Sequence, residues 1–204
     1  MQLYFAPRTI SVAVAIALEE AGLEYEAIQL DFAGGEQTKP AYRQINPKGR
    51  VPALVVDGGI LTETGALLEF IAAQAPSADL VPADPVMAAR MREVMFYLAS
   101  TMHVNHAHKV RGARWADKKP SWKDMKDKVP QTMTASCEYI CSNGLRGPFV
   151  LGEAFSLADA YLYVVCSWLE GDGVDVSAFP KILAFREAME ARPSVQAVRA
   201  AGML

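Results

Sequence analysis

The dipeptide Val51-Pro52 has the features of a main chain that binds another peptide. Proline has no N–H to give to a sheet, so it is placed at an edge or at the first residue of a strand. An X-Pro bond also adopts the cis form at a cost of only about 0.5–1 kcal/mol, and a cis bond would turn the N–H and C=O of Val51 outward. On this stretch alone an ordinary loop proline is the commoner case, and a Val51 that pairs with a peptide-like partner is the alternative that the rest of the chain has to support.

Glu63 and Thr64 stand where a helix is expected to begin. The first N–H groups of a helix have no partner within it, and together with the positive end of the helix macrodipole they attract an anion. The pair therefore predicts an anion-binding helix start. A plain helix cap is the alternative, since Thr is a favoured N-cap residue.

Hydroxyl groups cluster near the N-terminus, at Tyr4, Thr9 and Ser11. The first predicted strand ends at Ala6, and the first predicted helix begins between Thr9 and Ser11. Open α/β sheets place their ligands at the carboxyl ends of the strands, so this loop is a candidate site. The alternatives are that Ser11 only caps the helix and that Tyr4 belongs to the core.

His103, His106 and His108 are the three histidines of the chain. Residues three apart share a face of a helix, so His103 and His106 lie together and His108 points elsewhere. A zinc site needs ligands that converge on one point. We therefore expect no metal site.

The composition indicates a globular protein of 204 residues, of which 51% are hydrophobic. The net charge is −3, with 20 basic and 23 acidic residues mixed along the chain, so we expect no nucleic-acid partner. The N-terminus lacks the pattern of a signal peptide and no apolar run is long enough to span a membrane, so we expect a cytoplasmic protein without a membrane partner. An odd number of cysteines, at 137, 141 and 166, predicts free thiols.

The order of short segments predicts two domains. Residues 1–75 alternate β-like and helical patterns in the order β-α-β-α-β-β-α. Residues 76–85 are rich in proline and are expected to be a linker, and residues 86–204 carry helical periodicity only. Helices are predicted at 86–112, 121–143, 157–170, 179–191 and 194–201.

Ser156 and Asp159 precede an apolar run with the spacing of a capping box. The serine and the acid are expected to satisfy each other's free N–H groups at the helix start, with Phe155 as a hydrophobic staple. We expect this motif to be structural.

These features together resemble the cytosolic glutathione transferases. The resemblance covers nearly the whole chain and rests on four motifs: Asn46-Pro47-Lys48-Gly49-Arg50-Val51-Pro52-Ala53-Leu54, Leu61-Thr62-Glu63-Thr64, Gly152-Glu153-Ala154-Phe155-Ser156-Leu157-Ala158-Asp159 and Arg192-Pro193-Ser194-Val195. It implies an α/β plus all-α fold, in which an N-terminal thioredoxin-like βαβαββα domain precedes an all-helical C-terminal domain. It also implies a homodimer.

The resemblance assigns a glutathione site to particular residues. It implies that the cysteinyl N–H and C=O of glutathione bond to Val51, beside Arg50 and Pro52. It further implies that Glu63 pairs with the γ-glutamyl amine and that the hydroxyl and N–H of Thr64 take the carboxylate. A histidine of the bacterial beta class matches His103, so this residue is a site candidate too.

The group that activates the thiol is where this chain departs from the beta class. That class has Cys-Ser at the start of the first helix, whereas this chain has Ile10-Ser11. A mixed disulfide with glutathione at this position is therefore excluded. Ser11 is the first catalytic candidate, because its hydroxyl or the helix N–H groups could favour the thiolate form of the sulfur; Tyr4 and Thr9 are the other candidates.

The expected function is a glutathione transferase that adds the glutathione thiolate to a small hydrophobic electrophile. Glutathione is a co-substrate here, and no cofactor is expected. One alternative is a glutathione-dependent peroxidase or disulfide reductase on the same fold, and another is a non-catalytic protein that binds glutathione or hydrophobic ligands. Arg111, Arg114 and Trp115 either line the second-substrate pocket or form a solvated basic helix end.

Overall fold

The computed structural model describes all 204 residues. Its first part is a four-stranded sheet with three α-helices, and the remainder is helical. The strands are β1 (Gln2–Phe5), β2 (Glu26–Gln29), β3 (Ala53–Val56) and β4 (Gly59–Thr62). The α-helices are α1 (Ser11–Glu20), α2 (Pro40–Ile45), α3 (Thr64–Gln74), α4 (Pro85–Tyr97), α5 (His103–Arg111), α6 (Lys119–Tyr139), α7 (Leu157–Cys166), α8 (Pro180–Glu190) and α9 (Pro193–Ala200).

The sheet has the strand order β2-β1-β3-β4. β1 runs parallel to β2 and antiparallel to β3, and β3 pairs with β4 in an antiparallel hairpin. β3 begins one residue after Pro52, as expected for a residue that has no N–H for the ladder. The predicted element order and the fold class, a thioredoxin-like domain followed by a helical one, are confirmed.

Helix α1 is buried on all sides between the sheet part and the helical part. Residues 11–18 are fully buried, and the helix packs against α3, α7 and α9. A helix that contacts protein all around needs apolar residues on every face, which explains the run Val-Ala-Val-Ala-Ile-Ala-Leu. Helix α1 therefore packs against both the sheet part and the helical part of the molecule.

One long helical segment forms the wall opposite the sheet. The predicted helix 86–112 is observed as α4, a π-helical turn at Leu98–Met102 and α5, which follow one another without a break. Aspartate at position 84 caps its start by accepting the N–H of Met87 at 2.8 Å. None of the helices combines the length with the hydrophobicity that a membrane span requires.

The predicted boundary at residues 76–85 stays a prediction. A short 3-10 turn, Pro76–Ala78, occupies its start. The capping box is confirmed: the carboxylate of Asp159 accepts the N–H of Ser156 at 2.8 Å and bonds its hydroxyl at the same distance.

Candidate functional site

A cavity of about 760 Å³ lies between the sheet part and the α4–α5 wall. It is bounded by the loop before α1, the loop before β3, the start of α3, the α4–α5 segment and Trp168. Seven of the nine residues proposed from the sequence for the site line this cavity: Thr9, Arg50, Val51, Pro52, Glu63, Thr64 and His103. The remaining two, Tyr4 and Ser11, do not.

The loop before β3 presents the main chain of Val51 to the cavity. The Val51-Pro52 bond is cis, as the sequence predicted. The Arg50 carbonyl is held from behind, since it accepts the Tyr42 hydroxyl and the Asn46 side-chain amide, each at 2.7 Å. The N–H and C=O of Val51 itself bond to no other group of the chain. They therefore form a free edge that a peptide could pair with.

Gly49 makes the tight turn of this loop possible. Its φ is +62°, and a Cβ at this position would stand 2.9 Å from the carbonyl oxygen of Gln37. Any side chain would therefore force the loop away from that carbonyl. The side-chain oxygen Oε1 of Gln37 is buried without a hydrogen-bond partner, and this residue lines the cavity as well. Sequence reasoning missed Gln37, because nothing in the surrounding sequence distinguishes it from a surface glutamine.

The start of α3 presents unpaired N–H groups to the cavity, as the sequence prediction of an anion site requires. The first intrahelical bond runs from Leu67 N–H to the Glu63 carbonyl, so the N–H groups of Thr64, Gly65 and Ala66 have no helical partner. All three residues line the cavity. The N-cap residue of α3 is Glu63, whose side chain makes no cap bond and pairs with Lys48 instead. The free N–H groups of α3, which can bind an anion, therefore lie next to the Glu63 carboxylate, which can bind a cation.

The loop before α1 corrects the expected thiol donor. Ser11 is fully buried, and its hydroxyl oxygen accepts the Ala6 N–H at 3.2 Å and lies 2.6 Å from the Thr9 hydroxyl oxygen. Because the first turn of α1 is enclosed, Ser11 supports the loop from inside and does not reach the cavity. Tyr4 likewise turns away and packs its ring on Tyr42, with centroids 5.7 Å apart. Of the three hydroxyl residues, only Thr9 lies on the cavity wall.

Backbone strain concentrates at the cavity. Only three non-glycine residues have positive φ, and two of them, Arg8 at +58° and Glu63 at +78°, line the cavity. Such conformations cost about 1–3 kcal/mol each and persist where the surroundings enforce them, as they do at ligand sites.

The α4–α5 wall is mixed in character. Phe96, Ala99, Val104, Ala107 and Val110 give it an apolar surface. Arg111 and Arg114 stand at its end and line the cavity, and neither forms an ion pair with a carboxylate. Of the two alternatives for this helix end, the solvated basic end was favoured by the sequence, whereas the cavity lining agrees with the alternative that it borders the second pocket.

His103 lies on this wall in an environment that disfavours its charge. The pKa of His103 is lowered to about 4, first by burial and then by the neighbouring His106, Arg114 and Arg50. His103 has no hydrogen-bond partner of its own. It is therefore a neutral side chain at physiological pH.

His106 is positioned differently, by a residue far away in the sequence. Its Nδ1 lies 2.7 Å from the carboxylate of Asp172, whose side chain is fully buried. The imidazole stacks on the Trp168 ring at 4.2 Å between centroids, with 24° between the planes. The resemblance pointed to His103, and nothing in the sequence indicated that His106 would meet Asp172, which stands 66 residues away. No group of three potential metal-binding side chains is found in the structure.

Comparisons with known proteins agree with this architecture. Residues 1–73 match the family model of the glutathione S-transferase N-terminal domain, and residues 106–201 match that of the glutathione S-transferase C-terminal domain. The chain is 29% identical to the glutathione S-transferase GstA of Escherichia coli O157:H7 over 199 residues, which cover 96% of each protein. It is 32% identical to a maleylacetoacetate isomerase of Pseudomonas aeruginosa over 201 residues, or 95% of this chain and 93% of that protein.

A solved structure is similar over the whole length. It is a glutathione transferase homologue from Sulfitobacter with bound glutathione, 63% identical, with a TM-score of 0.98. The superposition covers 100% of this chain and 98% of the other.

Proposed function

Because the chain belongs to the glutathione S-transferase family, we propose that its cavity binds glutathione beside a small hydrophobic electrophile, which the glutathione thiolate attacks. Glutathione is the co-substrate of this reaction, which needs no resident cofactor. Holding the two reactants in one cavity accelerates their reaction by orientation and by excluding water.

One observation carries this proposal: the free main chain of Val51 and the free N–H groups of α3 face the same cavity. The cysteinyl backbone of glutathione pairs with Val51, and its γ-glutamyl carboxylate takes the hydroxyl and N–H of Thr64. The γ-glutamyl amine joins Glu63, which Lys48 already pairs with. Gln37 Oε1, now without a partner, accepts a further N–H of the tripeptide.

The electrophile lies against the α4–α5 wall in this proposal. The apolar side chains of Phe96, Val104 and Ala107 line that part of the cavity, which favours a hydrophobic molecule. The same wall is continuous with the glutathione side of the cavity, so sulfur and electrophile can meet.

A second candidate function is the glutathione-dependent isomerisation of an unsaturated carboxylate. The unpaired guanidinium groups of Arg111 and Arg114 favour it, because arginine binds carboxylates in bidentate geometry. A relative that is 32% identical is a maleylacetoacetate isomerase. Conjugation and isomerisation share the thiolate and differ in the second substrate.

A cytoplasmic homodimer is part of the same proposal. The three free cysteines suit a reducing compartment. Val86 and Phe96 on α4 are 65% and 71% exposed, and a second copy of the chain would cover such apolar side chains. Light scattering should give about twice the chain mass of 22.2 kDa.

A glutathione titration followed by a substrate panel tests the proposal. Calorimetry should detect binding, and thiolate absorbance should show a thiol pKa below that of free glutathione. Turnover is then compared for an aryl halide, a hydroperoxide, a disulfide and an unsaturated dicarboxylate. Transfer to the aryl halide supports conjugation, while a faster dicarboxylate reaction supports the isomerase. Hydroperoxide or disulfide turnover alone, or binding without any turnover, would contradict the proposal.

Thr64→Val tests the anion site with little change of shape. Loss of the hydroxyl should raise the Kd for glutathione roughly 10-fold to 100-fold, since a hydrogen bond to a charged group contributes about 1.5–3 kcal/mol. Thr132→Val is the matched control, because the Thr132 hydroxyl bonds within α6 and lies away from the cavity. Equal affinity of the Thr64 variant and the wild type would remove Thr64 from the binding site.

A further inference from the structure

We propose that His106, oriented by Asp172, accepts the proton of the glutathione thiol and returns it to the second substrate. This inference rests on the proposed function and assigns the thiol activation that Ser11 does not provide. Its basis is a His–Asp pair whose histidine lines the cavity while its carboxylate lies behind it.

The pair fixes which nitrogen of His106 is free. The Asp172 carboxylate can only accept, so Nδ1 of His106, at 2.7 Å, carries the proton. Nε2 then has a lone pair and is a base. About a quarter of the His106 side chain is exposed, whereas the Asp172 side chain is fully buried. The exposed part of the ring is therefore the part directed away from Asp172, into the cavity.

Asp172 is itself held in place. Its second oxygen, Oδ1, accepts Lys109 Nζ at 3.2 Å, and the same amine bonds the Gly171 carbonyl. Two partners fix the direction in which this buried carboxylate faces His106. Such a carboxylate stabilises the imidazolium that forms when a histidine takes up a proton.

Trp168 connects His106 with the loop before α1. Its ring stacks on His106, and its Nε1 donates to the Arg8 carbonyl at 2.9 Å. Arg8, Thr9 and Ile10 of this loop line the cavity. His106 is thus fixed to the segment in which Ile10 stands at the position of the beta-class cysteine.

The neighbouring His103 is a poorer base. It has no carboxylate partner, and burial together with the charges of Arg114 and Arg50 disfavours its protonated form. Asp172 and His103 lie next to His106, Lys109 bonds to Asp172, and Arg114 and Arg50 lie close enough to His103 to lower its pKa. Only Asp172 is negative, and it contacts His106 directly.

With an α,β-unsaturated carbonyl compound as the second substrate, the proton that His106 takes from the thiol is returned to the product. The thiol S–H bond breaks as its proton moves to Nε2, which leaves a thiolate and an imidazolium. The thiolate sulfur bonds to the β-carbon, and the π electrons of the C=C bond form an enolate. The enolate takes the proton from Nε2 at the α-carbon. The net result is addition of S–H across the double bond, with His106 neutral again.

His106→Gln tests this role with His108→Gln as the control on the same helix. His108 contacts the edge of Trp115 and does not line the cavity. Turnover of an unsaturated ketone is measured from pH 5 to pH 9, together with glutathione affinity and the pKa of the bound thiol. His106→Gln should lower kcat at least roughly 100-fold, in the range of general acid–base catalysis, with glutathione affinity within about twofold. The acid limb of the pH profile should disappear, and the thiol pKa should rise.

Asp172→Asn changes the tautomer of His106 while keeping nearly the same side-chain size at position 172. The asparagine amide can donate to Nδ1 and so favours the tautomer with the proton on Nε2, which cannot act as a base. This variant should lower kcat and keep the affinity for glutathione. An unchanged pH profile and thiol pKa in both variants, with wild-type turnover intact, would overturn the inference and leave the proposed function standing. Wild-type protein without turnover of any electrophile would instead overturn the proposed function.

A measurement on the wild-type protein guards against variants that fail to fold. The nitrogen shifts of His106 in long-range ¹H–¹⁵N spectra report its tautomer. We expect the Nδ1–H form, with a shift of the Nε2 signal when glutathione is added. An Nε2–H tautomer that glutathione does not perturb would overturn the inference.

Discussion

His103 shows how a single residue can make stability depend on pH. In the folded protein its pKa is lowered to about 4, first by burial and then by His106, Arg114 and Arg50, whereas an unfolded histidine titrates near 6.5. Between these two values the unfolded chain binds more protons than the folded one. The free energy of unfolding therefore falls as the pH is lowered through this window.

We expect His103→Gln to reduce this acid sensitivity. The wild type should lose up to about 3 kcal/mol of stability from this group between pH 6.5 and pH 4, given about 1.4 kcal/mol for each pKa unit. Urea unfolding at pH 7 and pH 4.5 measures the loss, with His108→Gln as the control. If the His103 variant and the wild type lost equal stability, His103 would be protonated in the folded state.

The local sequence indicates candidate residues whose backbone conformation, or whose place at the start of a helix, leaves a recognisable pattern. Val51 and Thr64, which line the cavity, were singled out because an X-Pro step and a helix start leave a local pattern. Ser11 was expected at the cavity but is buried away from it. The sequence shows that Ser11 stands at the start of the helix, but it does not show which side of the helix faces the cavity. The His106–Asp172 pair was missed because it forms only when α5 meets the turn after α7.

At the scale of elements, helix α7 depends on its first turn. Its residues 157–166 are all buried, so its free N–H groups cannot reach water and must be satisfied by the protein. The carboxylate of Asp159 does this for Ser156 and also accepts the N–H of Val150 at 2.7 Å. The cap thus joins the helix to the preceding turn.

Ser156→Ala should destabilise the protein by about 0.5–2 kcal/mol, the usual effect of a lost N-cap side chain. Turnover at temperatures well below melting should stay normal, because Ser156 lies outside the cavity. Thermal unfolding measures the change, and Ser142→Ala, at an exposed serine, is the control. A variant with unchanged melting and no activity would show that the cap serves catalysis.

Element types were predicted more accurately than their ends. The helix expected at 157–170 ends at Cys166, and the one expected at 86–112 contains a π-helical turn. Periodicity predicts that a helix exists, but it does not show a single π-helical turn within it. That turn directly precedes His103, so it contributes to the direction in which the cavity residues of α5 face.

At the scale of the whole molecule, the sheet part and the last helix are joined by a charge cluster. Glu20, at the end of α1, accepts Arg192 in a bidentate pair at 2.6 and 2.7 Å and the Ser194 hydroxyl at 2.5 Å. The guanidinium of Arg192 also lies over the ring of Phe155, 4.2 Å from its centroid. Burial alone would raise the pKa of Glu20, but its bonds to Arg192 and Ser194 lower it overall.

Arg192→Met should destabilise the fold by about 1–3 kcal/mol, because it leaves the largely buried Glu20 carboxylate without its main partner. Arg186→Met is a matched control, since Arg186 pairs with the exposed Glu170 and such surface pairs contribute less than about 1 kcal/mol. Denaturant unfolding compares the two. Equal losses would mean that the Glu20 cluster does not hold the two parts together.

The state of the three cysteines has a consequence for the lifetime of the enzyme. Burial raises the pKa of all three, to about 12 for Cys137, and none lines the cavity. With Ile10 in the loop before α1, no cysteine thiol of the protein lies on the cavity wall. The electrophiles of the proposed reaction should therefore alkylate glutathione and leave the cysteines of the protein unmodified. Each turnover then consumes one glutathione and no enzyme.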